Sequence, residues 1–368
     1  MRGALITLAL LAALRAEAYP QFQLSTGAVR CNVCHVSPSG GGLLIGYGRD
    51  EAGETISAGG DGRFLHGAWT PPKWLLLGGD FRVAGIINDV GATEGAEMTA
   101  FPMQMDLYSH VKVGSAFSAT LTLGLRGSTR YTYQRPASIV VSDEHYLMWR
   151  PKAAGPYVRI GRFMVPYGLR VAEHPFYIRR YLGQNTLEDP WAISGGVVED
   201  GWEAHLSFFT PFPLYPVGQR ASGTALYFEK RLGQKAVAGA QAKIAVGPDD
   251  TRVMFGGTGK YWIAAAHLLL LGELDLVRQI LHDLDGADRT QLAAHVGATW
   301  MPKRGWMFSA IVEAYLEDLA VEGTDRKAVS LEAQWFPTAH LELVLLGRSQ
   351  VIGGDLANLL MLQVHYYL

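Results

Sequence analysis

Apolar and polar residues alternate along most of this chain with a period of two, the spacing at which successive side chains of an extended strand point to opposite faces. From Met103 to Val113, Met103, Met105, Leu107, Val111 and Val113 fall on one face and Gln104, Asp106, Tyr108, His110 and Lys112 on the other. The same alternation sets Trp202, Ala204, Leu206 and Phe208 against Glu203, His205 and Ser207, and Val329, Leu331, Ala333 and Trp335 against Ser330, Glu332 and Gln334. Segments of roughly ten residues with this pattern, repeated from Trp74 to the last residue, are the signature of strands that cross a bilayer.

A soluble β-sandwich alternates as well, and the connections separate the two. Tight ones (Gly114-Ser115-Ala116, Asp200-Gly201, Gly233-Gln234, Pro302-Lys303-Arg304, Pro337-Thr338) take turns with longer ones (Gly91 to Ala100, Thr132 to Val141, Val165 to Pro190, Thr210 to Gln219, Leu281 to Arg289, Glu317 to Arg326, Ser349 to Ala357). Short turns at one end and long loops at the other belong to barrels of the outer-membrane type, whose periplasmic turns only reverse the chain. The predicted fold is all-β, a transmembrane antiparallel β-barrel of about 16 strands over residues 73–368. Leu360, Leu362, Val364, Tyr366 and Leu368 alternate up to the terminus, which resembles the targeting strand of outer-membrane proteins with Leu in place of the usual final Phe.

The start of the chain reads differently. Arg2, an apolar run from Ala4 to Leu14 and the small-x-small triplet Ala16-Glu17-Ala18 form a signal peptide over residues 1–18, which directs the rest out of the cytoplasm. Residues 19–72 are glycine-rich, without clear period, and offer as core little more than Phe22, Leu24, Leu43, Leu44, Ile45, Ile56, Phe64 and Leu65. A unit this small needs a covalent or cofactor staple. Pro71-Pro72 marks its boundary.

Composition agrees: 43 glycines, 16 tyrosines, 9 tryptophans and 18% charged residues suit a sheet-rich protein with an aromatic surface. A net charge of -2 leaves no electrostatic footprint for nucleic acid or for anionic membrane surfaces; outer-membrane lipid is the partner expected from the strand pattern.

The only cysteines, Cys31 and Cys34, precede His35 in the pattern C-x-x-C-H, the form of c-type haem attachment. Two thiols three positions apart add to the two vinyl groups on one porphyrin edge, and the adjacent imidazole becomes the proximal iron ligand. The pair could instead be a disulfide, a redox couple or half of a zinc site. A thioredoxin-like pair needs a βαβ context and a closed zinc site needs further Cys or His nearby, and this region has neither. One covalent haem c in the 19–72 segment is the expectation. For the distal position His66 is the candidate, with His110, His205 or an open site as competitors.

Inward-facing charges such as Asp80, Arg82, Asp106, Lys112, Arg126, Glu203, Glu229, Arg231, Glu273, Asp275, Glu313, Glu332 and Glu342 read as the polar wall of a barrel. Arg159, Arg162, Arg170, Arg179 and Arg180, around the loop from Val165 to Pro190, read as an ordinary solvated loop, the alternative being an anion or partner site.

Pro20-x-Phe22, Thr26, Cys31-x-x-Cys34-His35, Pro38 and Tyr47-Gly48-Arg49 resemble the fused outer-membrane cytochrome-porins of iron-oxidising bacteria, and Gly161 to Gly168 resembles a strand-to-loop stretch of phosphate-selective-type porins. The resemblance implies haem attachment at Cys31 and Cys34, ligation by His35, and single-electron transfer between an extracellular donor or acceptor and periplasmic cytochromes or other soluble carriers. Ferrous iron is one concrete donor, as in a ferrous iron:cytochrome c oxidoreductase, with Glu273 and Asp275 as carboxylates to hold the ion. The haem segment is expected on the periplasmic side or in the lumen. The competing expectation is a diffusion porin or specific transporter whose haem segment senses redox state or plugs the pore, and a third is a soluble periplasmic haem protein.

Overall fold

The computed structural model describes residues 20–90, 96–127, 138–184, 189–212, 220–282 and 288–368. The signal peptide of the sequence reading lies outside them, as do parts of its longer loops, and the Arg126 side chain is likewise outside the description.

Sixteen antiparallel strands run in sequence order around a closed barrel. The first, β1 (Leu75–Val90), pairs with the last, β16 (Asp355–Tyr367), from Asp80 opposite Tyr367 to Val90 opposite Ala357. Closure leaves no edge strand whose backbone groups would meet hydrocarbon unpaired. The soluble alternative is set aside by the outer face. There Leu123, Leu147, Ile160, Phe208, Phe255, Val296, Val312 and Leu331 are exposed, while their sequence neighbours Thr122, Tyr146, Arg159, Ser207, Met254, His295, Glu313 and Ser330 are buried inside. Such a surface is built for lipid. Tryptophans gather at the short-turn end, where Trp306 stacks at 5.5 Å on Trp335 and at 5.8 Å on Phe308, as an interfacial girdle requires.

The alternation of Met103 to Val113 appears in β2 (Ala96–Val113), with Gln104, Asp106, Tyr108 and His110 buried inward; Lys112, predicted inward, is exposed one residue before β2 ends. The turns that reverse the chain on one side are short, as expected. On the other side one expectation fails: Ser349 to Ala357 is no loop, because β15 (Leu341–Ile352) and β16 keep pairing to Ile352 opposite Asp355. Gly353 and Gly354, at φ 58° and 100°, make a two-residue hairpin turn there.

Residues 20–72 carry short helical turns, including Phe22–Ser25, Cys31–Val33 and Gly46–Glu51, and sit in the short-turn end of the lumen. They have no core of their own. Leu24 is buried in a cluster with Tyr167, Leu169 and Val237, and Leu43 in another with Tyr108, Tyr146, Met148 and Phe163. Leu65, expected inside, is exposed. The segment resolves its shortage of apolar mass by burying what it has against the barrel interior.

Candidate haem-attachment site

The segment is held by cations of the barrel that donate to its backbone and hydroxyls. Arg150 Nη1 donates to Val36 O at 3.1 Å, Arg231 Nη1 to Ala28 O at 2.9 Å, and Arg304 Nη2 to Gly53 O at 2.8 Å. Arg159, on β5 (Gly155–Arg162), donates from Nη1 to Ser37 Oγ and from Nη2 to Ser39 Oγ, both at 3.1 Å, with its guanidinium 3.9 Å from the centre of the Phe163 ring. In the other direction Arg30 pairs with Asp200, and Arg49 donates to Leu77 O. Deeper in, Lys260 Nζ reaches Gln23 Oε1 at 2.6 Å and Glu229 Oε2 at 2.8 Å.

A second inclusion lies beside it. The chain between β5 and β6 (Trp191–Glu199) enters the lumen, with Phe163, Val165, Tyr167, Leu169, Phe176, Ile178 and Leu182 buried. Tyr167 OH donates to Asp275 Oδ1 at 2.7 Å, Leu169 N to Glu273 Oε2 at 2.6 Å, and Tyr177 N to Glu313 Oε1 at 2.8 Å. Gly168, at φ 61°, lets the backbone pass the Glu273 carboxylate, since a Cβ there would lie 2.1 Å from Oε1. The expected solvated basic loop is corrected: Arg162 and Arg179 are buried, Arg179 Nη1 donating to Val171 O and Ala172 O, and of the five arginines only Arg180 is exposed. Its apolar residues carry the loop inward, and the guanidinium groups then satisfy carbonyls the fold leaves inside.

Between the segment and the wall is a pocket, partly open to solvent, that Cys31, Cys34 and His35 all line. Phe22, Leu44, Ile56, Leu169 and Phe336 give it an apolar lining, with Arg30, Arg170 and Lys260 as its cations. Both thiols are free. Removal from bulk water pushes the Cys31 thiol up to about 12, reinforced by Glu203, and the Cys34 thiol up to about 11. Burial pushes the His35 imidazole down to about 4, so it is neutral at physiological pH, the form that ligates iron. Its Nδ1 is buried and makes no hydrogen bond. Gly48 packs against the backbone of Cys34 so closely that a Cβ would lie 2.4 Å from Cys34 O. The donor set of two thiols and a neutral buried imidazole beside an apolar lining is chemically that of a thioether-bound porphyrin.

The other sequence candidates lie elsewhere. His66 is not among the residues lining the cavity; its Nε2 stands 3.0 Å from Tyr366 OH. His110 bonds Thr120 at 2.9 Å, and His205 bonds Tyr157 at 2.7 Å. Besides His35, the histidine that lines the cavity is His365, held between Glu342 (2.6 Å) and Asp80 (2.8 Å). No local pattern marked it, because only barrel closure brings the last strand to the N-terminal segment. Glu273 and Asp275 are together, bridged by Gln241 Nε2, but their oxygens already hold the lumen loop. Among the described residues no three His, Cys, Asp or Glu side chains form a ready metal site.

The fold and its contents define a class: a porin-type barrel of sixteen strands with an occupied lumen. Solved structures of the same architecture include OmpT of Vibrio cholerae (TM-score 0.62, 11% identity, 81% of this chain and 99% of that one) and an anion-selective porin from Comamonas acidovorans (0.59, 14%, 80% and 99%). OprB of Pseudomonas putida is similar too (0.60, 11%, 80% and 94%). At such identities the likeness is one of fold. No protein-family model matches the chain, and no curated protein matches it.

Proposed function

We propose that this chain carries single electrons across the outer membrane through one haem c, bonded to Cys31 and Cys34, ligated by His35 and housed in the barrel. The observation that supports it is the common cavity inside the lumen that the two thiols and the imidazole share. A bound haem supplies one-electron exchange between ferrous and ferric iron. The protein's part is to hold and place it. Hydrocarbon about 30 Å thick insulates the two sides, and a haem held within the short-turn end of the barrel shortens that gap from one side. Arg150, Arg159, Arg231 and Arg304 fix the segment in the wall, and the lumen loop adds the apolar Leu169 to the pocket's lining. The partners on this reading are a soluble periplasmic carrier at the short-turn end and a donor or acceptor outside.

A second reading, a diffusion porin or transporter with the N-terminal segment as plug, is favoured by the porin architecture. The two inclusions in the lumen weigh against free diffusion. A haem-stained denaturing gel of outer membranes decides: the native chain gives a peroxidase-active band somewhat below the 40.1 kDa of the chain with its signal peptide, and Cys34→Ala weakens or abolishes it. An unstained native chain, with solute flux through reconstituted liposomes, would leave only the pore. With haem present, adding ferrous iron to the oxidised protein and following the absorbance tests iron as donor.

A further inference from the structure

We propose that His66, His340 and Tyr366 form a binding site for one divalent transition-metal ion of the zinc or copper class, at the rim where the N-terminal segment meets the closing seam of the barrel. His340 lies in the tight turn between β14 (Asp325–Thr338) and β15, and is 1% exposed. Its Nδ1 is 2.6 Å from Tyr367 O. A carbonyl only accepts, so this bond is made by the tautomer with its proton on Nδ1, which leaves the lone pair on Nε2, the form in which a carbonyl-anchored histidine binds a metal. That Nε2 is buried and makes no hydrogen bond of normal geometry, with the Asp61 backbone carbonyl, His66 and Arg49 as the polar groups around the ring besides Tyr367. An unpartnered buried nitrogen is a cost that a ligand would remove.

The second imidazole is already there. The His66 and His340 ring centroids are 4.2 Å apart at 70°, and Tyr366 OH lies 3.0 Å from His66 Nε2. His66 is placed by an unusual backbone: Leu65 (φ 49°, ψ 39°) and His66 (φ 54°, ψ 31°) are successive non-glycine residues in the left-handed region. A non-glycine side chain is strained in that region, and strain of this kind persists where a side chain must be aimed. Exposed His66 can swing aside to admit an ion between the rings, and the phenol oxygen supplies a third donor. Two imidazoles and a phenol, without a carboxylate, select zinc or copper over magnesium or calcium. The bound ion would tie the N-terminal segment to the last strand, independently of any haem.

The test uses the purified full-length protein in detergent, stripped with EDTA and titrated with zinc by calorimetry, in native form and as His66→Ala and His340→Gln. The native chain should take up one equivalent more than His66→Ala, and His340→Gln should lose at least about tenfold in affinity at the same site. Because the readout is a difference, zinc on unalkylated Cys31 and Cys34 cancels, and the result stands whether or not haem is attached. Copper titrated in place of zinc should show hyperfine coupling to two nitrogens, lost in His66→Ala. Exposed His66 is not a folding determinant, so equal zinc uptake by the native chain and His66→Ala, or none by either, overturns the site.

Discussion

At the scale of single residues, the cavity depends on contacts that tie distant parts of the chain. Arg159 is the clearest case: buried in the wall, it donates to both Ser37 and Ser39 on the segment that carries Cys31, Cys34 and His35. Arg159→Gln removes those two bonds and the packing on Phe163. Bonds to a charged donor are worth about 1.5–3 kcal/mol each, and Ser37 and Ser39 keep each other at 3.3 Å, so we expect a loss of about 2–4 kcal/mol in docking of the segment. Hydrogen exchange resolved over residues 20–72 should then rise while the strands stay protected. Unchanged exchange would mean that Arg150, Arg231 and Arg304 suffice. That Cys31, Cys34 and His35 share one pocket was legible because they lie within five consecutive positions. Lys260, Leu169, Arg170 and His365 were not, since nothing local tells a strand residue that lines a cavity from one that lines the rest of the wall.

At the scale of elements, the strands were read more accurately than the pieces inside them. Alternation identifies a strand because the barrel has two solvents, lipid outside and a polar interior, and each residue answers to one. The stretch from Phe163 to Gln184 answers to neither pattern. Its tyrosines, leucines and arginines resemble a solvated basic loop until the wall supplies Glu273, Asp275 and Glu313 to receive it. The N-terminal segment was recognised as too poor in apolar residues to stand by itself, but where it would bury them could not be read. If both inclusions close the lumen, the native protein should show little conductance in a planar bilayer. Deleting residues 20–72 should raise it by one step, and further shortening of the lumen loop between Val165 and Gln184 by a second. Native conductance already at the level of an open porin would argue that the inclusions leave a continuous water path.

For the whole molecule, the distinction between inside and outside is an energetic one, and it can be tested on a single strand. Leu331 and Glu332 are neighbours on β14; Leu331 is 64% exposed on the outer face, and Glu332 is buried in the lumen. In water a Leu at that exposure could be exchanged for Arg at little cost. Near the middle of a bilayer the same change costs about 2–4 kcal/mol, because the guanidinium meets hydrocarbon and must reach for a headgroup. Leu331→Arg should therefore destabilise the protein by that amount in phospholipid vesicles, measured by denaturant titration of the folded barrel. In a detergent micelle, where water reaches the belt, the penalty should shrink. Glu332→Gln, one position along, should show no such dependence on the lipid, since its surroundings are the protein's own lumen. Equal effects of the two substitutions in vesicles and in micelles would mean that the apolar belt is covered by something other than lipid.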